Sequence, residues 1–138
     1  MDSRLRWLAV LAALAALAGC ADGPSASLVR SARVYPANYR AELLAYLRNF
    51  LNDPTNVRNA YLSEPALMKL EGVERYVTCL RFDARNSYGG YRGSRDYLAT
   101  YFEGKLEYFN ELRPEGEDDR CRSATYVPFP ELQQLTKR

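Results

Sequence analysis

Residues 35–54, YPANYRAELLAYLRNFLNDP, constrain the fold more than any other stretch. Tyr39, Leu43, Leu47, Phe50 and Leu51 recur at helical spacing, while Arg40, Glu42, Arg48 and Asn49 fall elsewhere on the wheel. The spacing predicts an amphipathic helix from Pro36 to near Asn52. Pro36 suits a first helical turn, and Pro54 disfavours helical geometry in the residue before it. Asp53 then reads as the N-cap of a short second turn. An aromatic-rich stripe of this kind is a core-facing surface.

Beyond the helix the apolar period changes from near four to two. Arg75–Ala84, RYVTCLRFDA, sets Tyr76, Thr78, Leu80 and Phe82 on one face and Val77, Cys79, Arg81 and Asp83 on the other, as in a half-buried strand. Tyr61 and Leu62 read as a short strand broken by Pro65. Arg95–Phe102 is a second alternating segment and Leu106–Leu112 a third, with Glu103–Lys105 as a tight turn between them. The segment ATYVPFPELQQL holds a short edge strand ended by Pro128, then a helical turn from Glu131. No internal repeat is visible. The expected fold class is α+β, one N-terminal amphipathic helix packed on a small antiparallel β-meander. At 138 residues the chain is long enough for one domain, placed at 36–138.

The first nineteen residues read as an address rather than as fold. Arg4 and Arg6 form a positive n-region, an apolar run follows from Trp7 to Ala18, and small residues close it. The run is shorter than the about 20 residues of a membrane-spanning helix. Leu17-Ala18-Gly19-Cys20 resembles the bacterial lipobox, in which signal peptidase II cuts before the cysteine. The resemblance implies a mature chain that begins at Cys20, acylated with chains such as palmitate and held at the membrane by them. Each buried CH₂ contributes about 0.8 kcal/mol, so two chains suffice for stable anchoring. Ala21, where an Asp would retain an enteric lipoprotein at the inner membrane, favours the outer membrane. Residues 20–35, rich in small and polar side chains, read as a flexible tether.

Lipidation of Cys20 leaves Cys79 and Cys121. An even pair in the oxidising periplasm reads as a disulfide. The loop it closes stabilises the fold by about 4 kcal/mol in the chain-entropy model. Two buried free thiols are the alternative, disfavoured by the polar setting of Cys121 in DDRCRS.

A net charge of +2, with Arg scattered among carboxylates, argues against a nucleic-acid partner. The chain has no His, so the commonest general base and metal ligand are missing. No G-x-S-x-G elbow and no Cys–His pair is present. Glu71 with Glu74, and the run Glu115, Glu117, Asp118 and Asp119, qualify as acid–base groups by type alone. The run lacks EF-hand spacing and reads as a solvated loop. No catalytic residue, cofactor or metal site is expected.

One segment stands out as a candidate recognition loop: RNSYGGYRGSR, residues 85–95. It lacks GxGxxG order and runs into a strand, which excludes a phosphate loop. Gly89 and Gly90 fit a hairpin connection that needs positive φ. Arg85, Asn86, Tyr88, Tyr91, Arg92 and Arg95 would then cluster at one end of the sheet. Tyr and Arg are enriched at recognition hot spots. The bland alternative is a connection whose rings close the end of the core.

LNDPTNVR (Leu51 to Arg58) and CLRFDARNSYGGYRGSRDY (Cys79 to Tyr97) resemble a pattern in small proteobacterial lipoproteins of uncharacterised function. In them an Asp-Pro after a helix precedes a Cys-containing strand and an NAKNSYGGY-like motif. Asp83 and Arg85 stand here where that pattern has Asn and Lys. The resemblance implies a recurring domain and brings no activity. A fainter likeness, carried by Ser87 to Tyr91, is to membrane-bound lysozyme inhibitors, whose all-β barrel conflicts with the helix over residues 36–52. The expected role is a non-enzymatic, lipid-anchored binding or structural module facing the periplasm. Its expected partner is an envelope protein or cell-wall material such as glycan. Inhibition of a secreted hydrolase such as lysozyme is the alternative.

Overall fold

The computed structural model describes residues 23–113 and 120–136. Cys20 and the residues before it, and the acidic run Glu115 to Asp119, lie outside the described residues. The elements are α1 (Ala26–Ala32), α2 (Tyr39–Phe50), β1 (Asp53–Ser63), β2 (Ala66–Leu70), β3 (Val73–Arg85), β4 (Arg95–Phe102), β5 (Lys105–Glu111), β6 (Tyr126–Pro128) and α3 (Pro130–Gln133). The class is α+β, built on one six-stranded antiparallel sheet of order β5-β4-β3-β1-β6, with β2 paired to β3. No helix among the described residues is long and apolar enough to cross a membrane.

β3 is the axis of the sheet. Along one side it pairs with β4. Along the other it pairs first with β2, over Val73–Val77, and then with β1, over Leu80–Arg85. At the break between β1 and β2 the Cys79 N–H would lose its ladder partner. Ser63 Oγ accepts it instead, at 2.9 Å. Glu71-Gly72 joins β2 to β3 and Glu103-Gly104 joins β4 to β5. Both dipeptides have positive φ at both residues (50° and 83°; 50° and 73°), the two-residue hairpin geometry that matches strand twist. The second pair matches the expected turn over Glu103–Lys105. The first was equally marked in sequence, but ALMKL has no alternation to announce β2.

β1 is a second departure. Asp53-Pro54 does not start a helical turn; it opens a strand of 11 residues. Asp53 Oδ1 does accept the Thr55 N–H, at 3.0 Å, as a capping carboxylate would. Pro54 is fully buried at the strand's start, where its missing N–H breaks no ladder bond. Two register shifts and a positive φ of 50° at Asn59 scramble the alternation, which is why only Tyr61 and Leu62 read as strand.

α2 lays Leu43 and Leu47 on the sheet, both without exposed surface. Pro36 precedes the helix rather than lying in its first turn, and its carbonyl accepts the Tyr39 N–H. The main core continues through Val57, Leu62, Leu80, Phe82, Ala99 and Tyr101, and is closed by Phe129, Leu132 and Leu135 of the C-terminal segment. β6 and α3 fall where the sequence puts an edge strand and a turn of helix. Phe129 N–H bonds to the Ala60 carbonyl at 2.8 Å, and Arg40 grips Glu131 at 2.9 Å, tying α2 to α3.

β3 is not half-buried. Its second face carries its own cluster of Val77, Cys79, Leu98, Leu112 and Cys121, centred on the Cys79–Cys121 disulfide with a Cα–Cα distance of 5.7 Å. The expected tether is also corrected in part. Residues 26–32 form α1, N-capped by Ser25 Oγ on the Leu28 N–H. Ala32 is completely buried, the Ser31 carbonyl accepts the Glu103 N–H at 2.9 Å, and Arg33 pairs with Glu74. Tyr35 meets Tyr76 edge-on at 5.2 Å. The small residues that read as linker are those that let a helix approach a sheet closely.

Candidate functional site

The Gly-rich connection between β3 and β4 is pinched into two parts by an antiparallel bridge between Arg85 and Tyr91. The first part, residues 86–90, is held by one side chain. Asn86 Oδ1 accepts the N–H groups of Tyr88 and Gly90, each at 3.0 Å, and the Asn86 N–H donates to the Gly90 carbonyl at 2.9 Å. Gly89 takes φ +80°, as expected; Gly90 does not take positive φ. The second glycine with a left-handed backbone is Gly93, at φ +87°, in the short bulge of Arg92, Gly93 and Ser94 that returns the chain to β4.

The expected cluster of Tyr and Arg is divided by this pinch. Tyr88 stands alone at the tip, 95% exposed. Tyr91 folds back over β1, where its hydroxyl donates to the Asn56 carbonyl at 2.7 Å. Arg58 lies over its ring at 3.6 Å and Arg85 at 5.5 Å, both favourable for a cation on an aromatic face. The Arg85 guanidinium also faces the Asp53 carboxylate at 3.7 Å. Tyr91 thus closes the end of the sheet, the bland reading of that residue.

Arg92 and Arg95 turn the other way, onto the face that carries α2. There a cleft of about 200 Å³ lies between the end of α2, the ends of β3 to β5 and the Gly-rich connection. Phe50, Phe82 and Tyr97 line it and belong to a ladder of rings that Phe109, itself outside the lining, connects. Phe82 stacks on Tyr97 at 4.4 Å, Tyr97 on Phe109 at 5.1 Å, and Phe109 meets Phe50 at 5.4 Å. Cross-strand register makes the ladder: alternation sends Phe82, Tyr97 and Phe109 to one face of adjacent strands. Phe82 and Tyr97 are buried, whereas Phe50, at the last turn of α2, is 50% exposed and forms the accessible wall. Arg85, Arg92, Arg95 and Glu111 are its charged lining residues, beside the amides of Asn52 and Asn86. Burial, with Glu111 adding to it, pushes the Tyr97 phenol up to about 12.

The partners of these groups are unequal. Arg92 approaches Glu111 at 3.6 Å, with both side chains well exposed. The Arg95 side chain has neither hydrogen bond nor ion pair among the described residues, and its Nε is buried. The Tyr97 hydroxyl has no hydrogen-bond partner among them either. Phe50, Phe82, Tyr97 and Glu111 were not legible as site residues. Phe50 reads as stripe and the other three as strand, and only register and helix placement bring them beside Arg92 and Arg95.

Among the described residues no group of three or more His, Cys, Asp or Glu is placed to hold a metal ion. Glu74 is engaged with Arg33, and Glu71 forms a hairpin turn. Two broader depressions on the opposite sheet face, of about 640 and 460 Å³, are both bordered by Arg120, and no residue of the Gly-rich connection lines either. Comparison with protein-family models, with curated proteins and with solved structures finds no match to this chain.

Proposed function

We propose that this chain is a lipid-anchored, non-enzymatic binding module of the bacterial envelope. In this reading acylated Cys20 holds it in the outer membrane facing the periplasm, and the cleft beside the Gly-rich connection binds cell-wall material. The observation that carries the binding reading is the cleft itself. It joins a half-exposed aromatic wall, Phe50, to three guanidiniums and to a phenol without an internal partner. Convergent polar groups beside an apolar wall are the ordinary makings of a ligand site.

In the anchored reading the polarity of the sheet sets the orientation of the domain. α1 packs at the end that holds the Glu103-Gly104 turn and Glu74, while the Gly-rich connection lies at the other end of β3. The 13 residues of β3 span about 40 Å. Only residues 21–25 separate Cys20 from α1, a reach of at most about 22 Å. A domain so attached holds α1 toward the membrane and its cleft away from it, toward the cell wall.

The test is co-sedimentation of the mature domain with isolated cell-wall sacculi. The domain is expected in the pellet, and Phe50→Ala is expected in the supernatant with an unchanged circular dichroism spectrum. Wild-type protein that stays in the supernatant would sink the binding reading. For the anchor, Cys20→Ser is expected to release the protein from membranes, and recovery of a mature chain without acyl groups by mass spectrometry would remove it.

One observation favours a second reading, inhibition of a hydrolase such as lysozyme. Tyr88 is 95% exposed on a turn braced by Asn86, the form of a side chain that inserts into another protein's groove. A stoichiometric complex with lysozyme, lost in Tyr88→Ala, is what that reading expects.

A further inference from the structure

The lining of the cleft states what kind of ligand it takes. It holds three guanidiniums, Arg85, Arg92 and Arg95, against one carboxylate, Glu111. Arg85 is committed elsewhere, to Asp53 and the Tyr91 ring. Arg92 is held only loosely, 3.6 Å from Glu111 with 57% of its side chain exposed. Arg95 is committed to nothing, and its Nε is buried without a partner.

A buried donor without a partner is destabilising, by about 1–3 kcal/mol, unless something accepts from it. A guanidinium presents a planar fork of donors that a carboxylate fills with two parallel bonds. The electrostatics of the site therefore ask for an anion, and its planar form is favoured by the residue type. The rest of the site is not anion chemistry. Phe50 offers a half-exposed apolar ring, Tyr97 a hydroxyl with no internal partner, and Glu111 an acceptor. A ring of this kind takes the C–H face of a pyranose, while a phenol and a carboxylate take its hydroxyls.

Size narrows the choice. At about 200 Å³ the cleft is smaller than the about 300–1,000 Å³ of sites for drug-sized ligands. It accommodates one ring with its substituents rather than a chain lying lengthwise.

We infer that the cleft recognises a single carboxylate-bearing pyranose, with Arg95 and Arg92 holding the carboxylate and Phe50 backing the sugar ring. This inference rests on the cell-wall binding reading and adds its ligand class, a sugar acid rather than a neutral sugar. Tyr97 and Glu111 orient the ring through its hydroxyls. Arg95 is the residue whose charge the ligand satisfies.

Calorimetric titration of the mature, disulfide-bonded domain tests it. The probes are N-acetylmuramic acid, its neutral counterpart N-acetylglucosamine, lactate as the carboxylate without the ring, and inorganic phosphate. The acidic sugar is expected to bind at least about tenfold more tightly than the neutral one, the effect of one charge-assisted hydrogen bond pair. Its affinity should fall as salt rises, and lactate and phosphate alone should bind far more weakly. Arg95→Gln is expected to abolish the preference for the acid while leaving the weak neutral binding.

Because Arg95 is partly buried, Arg92→Gln serves beside it. Arg92 is exposed, and its loss should reduce the same preference without lowering the thermal midpoint. Equal affinity for the two sugars overturns the inference while leaving the cleft a sugar site. Phosphate binding that matches the acidic sugar overturns it in favour of a plain anion site. If neither sugar binds yet sacculi still pellet the domain, the ligand class is wrong and the cell-wall reading survives; if sacculi do not pellet it either, both fail.

Discussion

The Tyr91 hydroxyl donates to the main-chain carbonyl of Asn56, 2.7 Å away, across the open end of the sheet. That bond joins the Gly-rich connection to the irregular start of β1, where a bulged strand has left a carbonyl to satisfy. The ring between them is flanked by Arg58 and Arg85. Tyr91 is therefore a structural closure, with exposed neighbours on either side, Tyr88 and Arg92.

Removal of the Tyr91 hydroxyl measures that closure. Tyr91→Phe keeps the ring under the two guanidiniums and loses one hydrogen bond, so a loss of about 1 kcal/mol in urea unfolding is expected. Tyr91→Ala also loses the cation–ring contacts and is expected to cost about 2–3 kcal/mol. Ligand binding by Tyr91→Phe should match the wild type. A tenfold loss of binding with full stability would return Tyr91 to the recognition surface.

The turn over residues 86–90 depends on Asn86 and Gly89. Asn86→Ala removes the acceptor shared by the Tyr88 and Gly90 N–H groups. Those two amides are exposed, so water replaces the acceptor and the global loss stays near 1 kcal/mol. Their hydrogen exchange should accelerate well beyond that of β3. Gly89→Ala meets no steric neighbour, but places a side chain at φ +80°, with an expected loss of about 1 kcal/mol. Unchanged exchange in Asn86→Ala would mean that the backbone alone holds the turn.

Ser63 and the disulfide act on the same residue from two directions. Ser63→Ala leaves the buried Cys79 N–H without an acceptor, and a loss of about 1–3 kcal/mol is expected. Ser63→Thr keeps the hydroxyl and should recover part of it. Cys79 and Cys121 are each no more than 5% exposed, so mild reductant should leave the bond intact in the native state. Replacing both with Ser is expected to lower stability by about 4 kcal/mol, the entropy of the loop it closes. A double variant as stable as the wild type would show that the second-face cluster holds without the staple.

Alkaline unfolding reports the buried phenols. Tyr97 has its folded pKa raised from 10.0 to about 12, first by burial, and burial raises Tyr101 as well. A folded pKa above the unfolded value means that the native state holds its proton longer. The stabilisation is complete below pH 10 and is lost as pH climbs from there through the folded pKa. Stability should therefore fall from about pH 10 to pH 12, with tyrosinate absorbance of these rings appearing only on unfolding. Tyr97→Phe should show a shallower fall over the same window. A tyrosinate signal from all rings before any loss of ellipticity would contradict the burial of Tyr97 and Tyr101.

Periodicity carried much of the fold. The stripe of α2, the alternation of Arg95–Phe102 and the Pro-limited edge strand are local patterns, set by which side chains recur on one face of a regular element. They can be read from the chain because regular elements impose a fixed period. β1 and β2 could not be read that way. In β1 the bulges and the positive φ at Asn59 break the period, and β2, at five residues, is too short to show one. α1 was hidden for another reason: small residues are common to linkers and to helices that pack closely.

What the sequence determined by itself was composition at each position: a Cys pair available for a bridge, glycines where the backbone needs left-handed turns, and a Tyr- and Arg-rich connection between two strands. Only tertiary structure decided where those side chains went. The Arg85–Tyr91 bridge sends Tyr91 back onto β1 and leaves Arg92 and Arg95 on the opposite side. Strand register then sets Phe82 and Tyr97 beneath them, and the end of α2 adds Phe50 from more than thirty positions earlier in the chain. A cleft is a relation between distant segments. The Gly-rich motif supplies Arg85, Arg92 and Arg95, but no spacing in the chain links them to Phe50, Phe82 or Glu111, because what brings these together is strand register and the packing of a helix on a sheet.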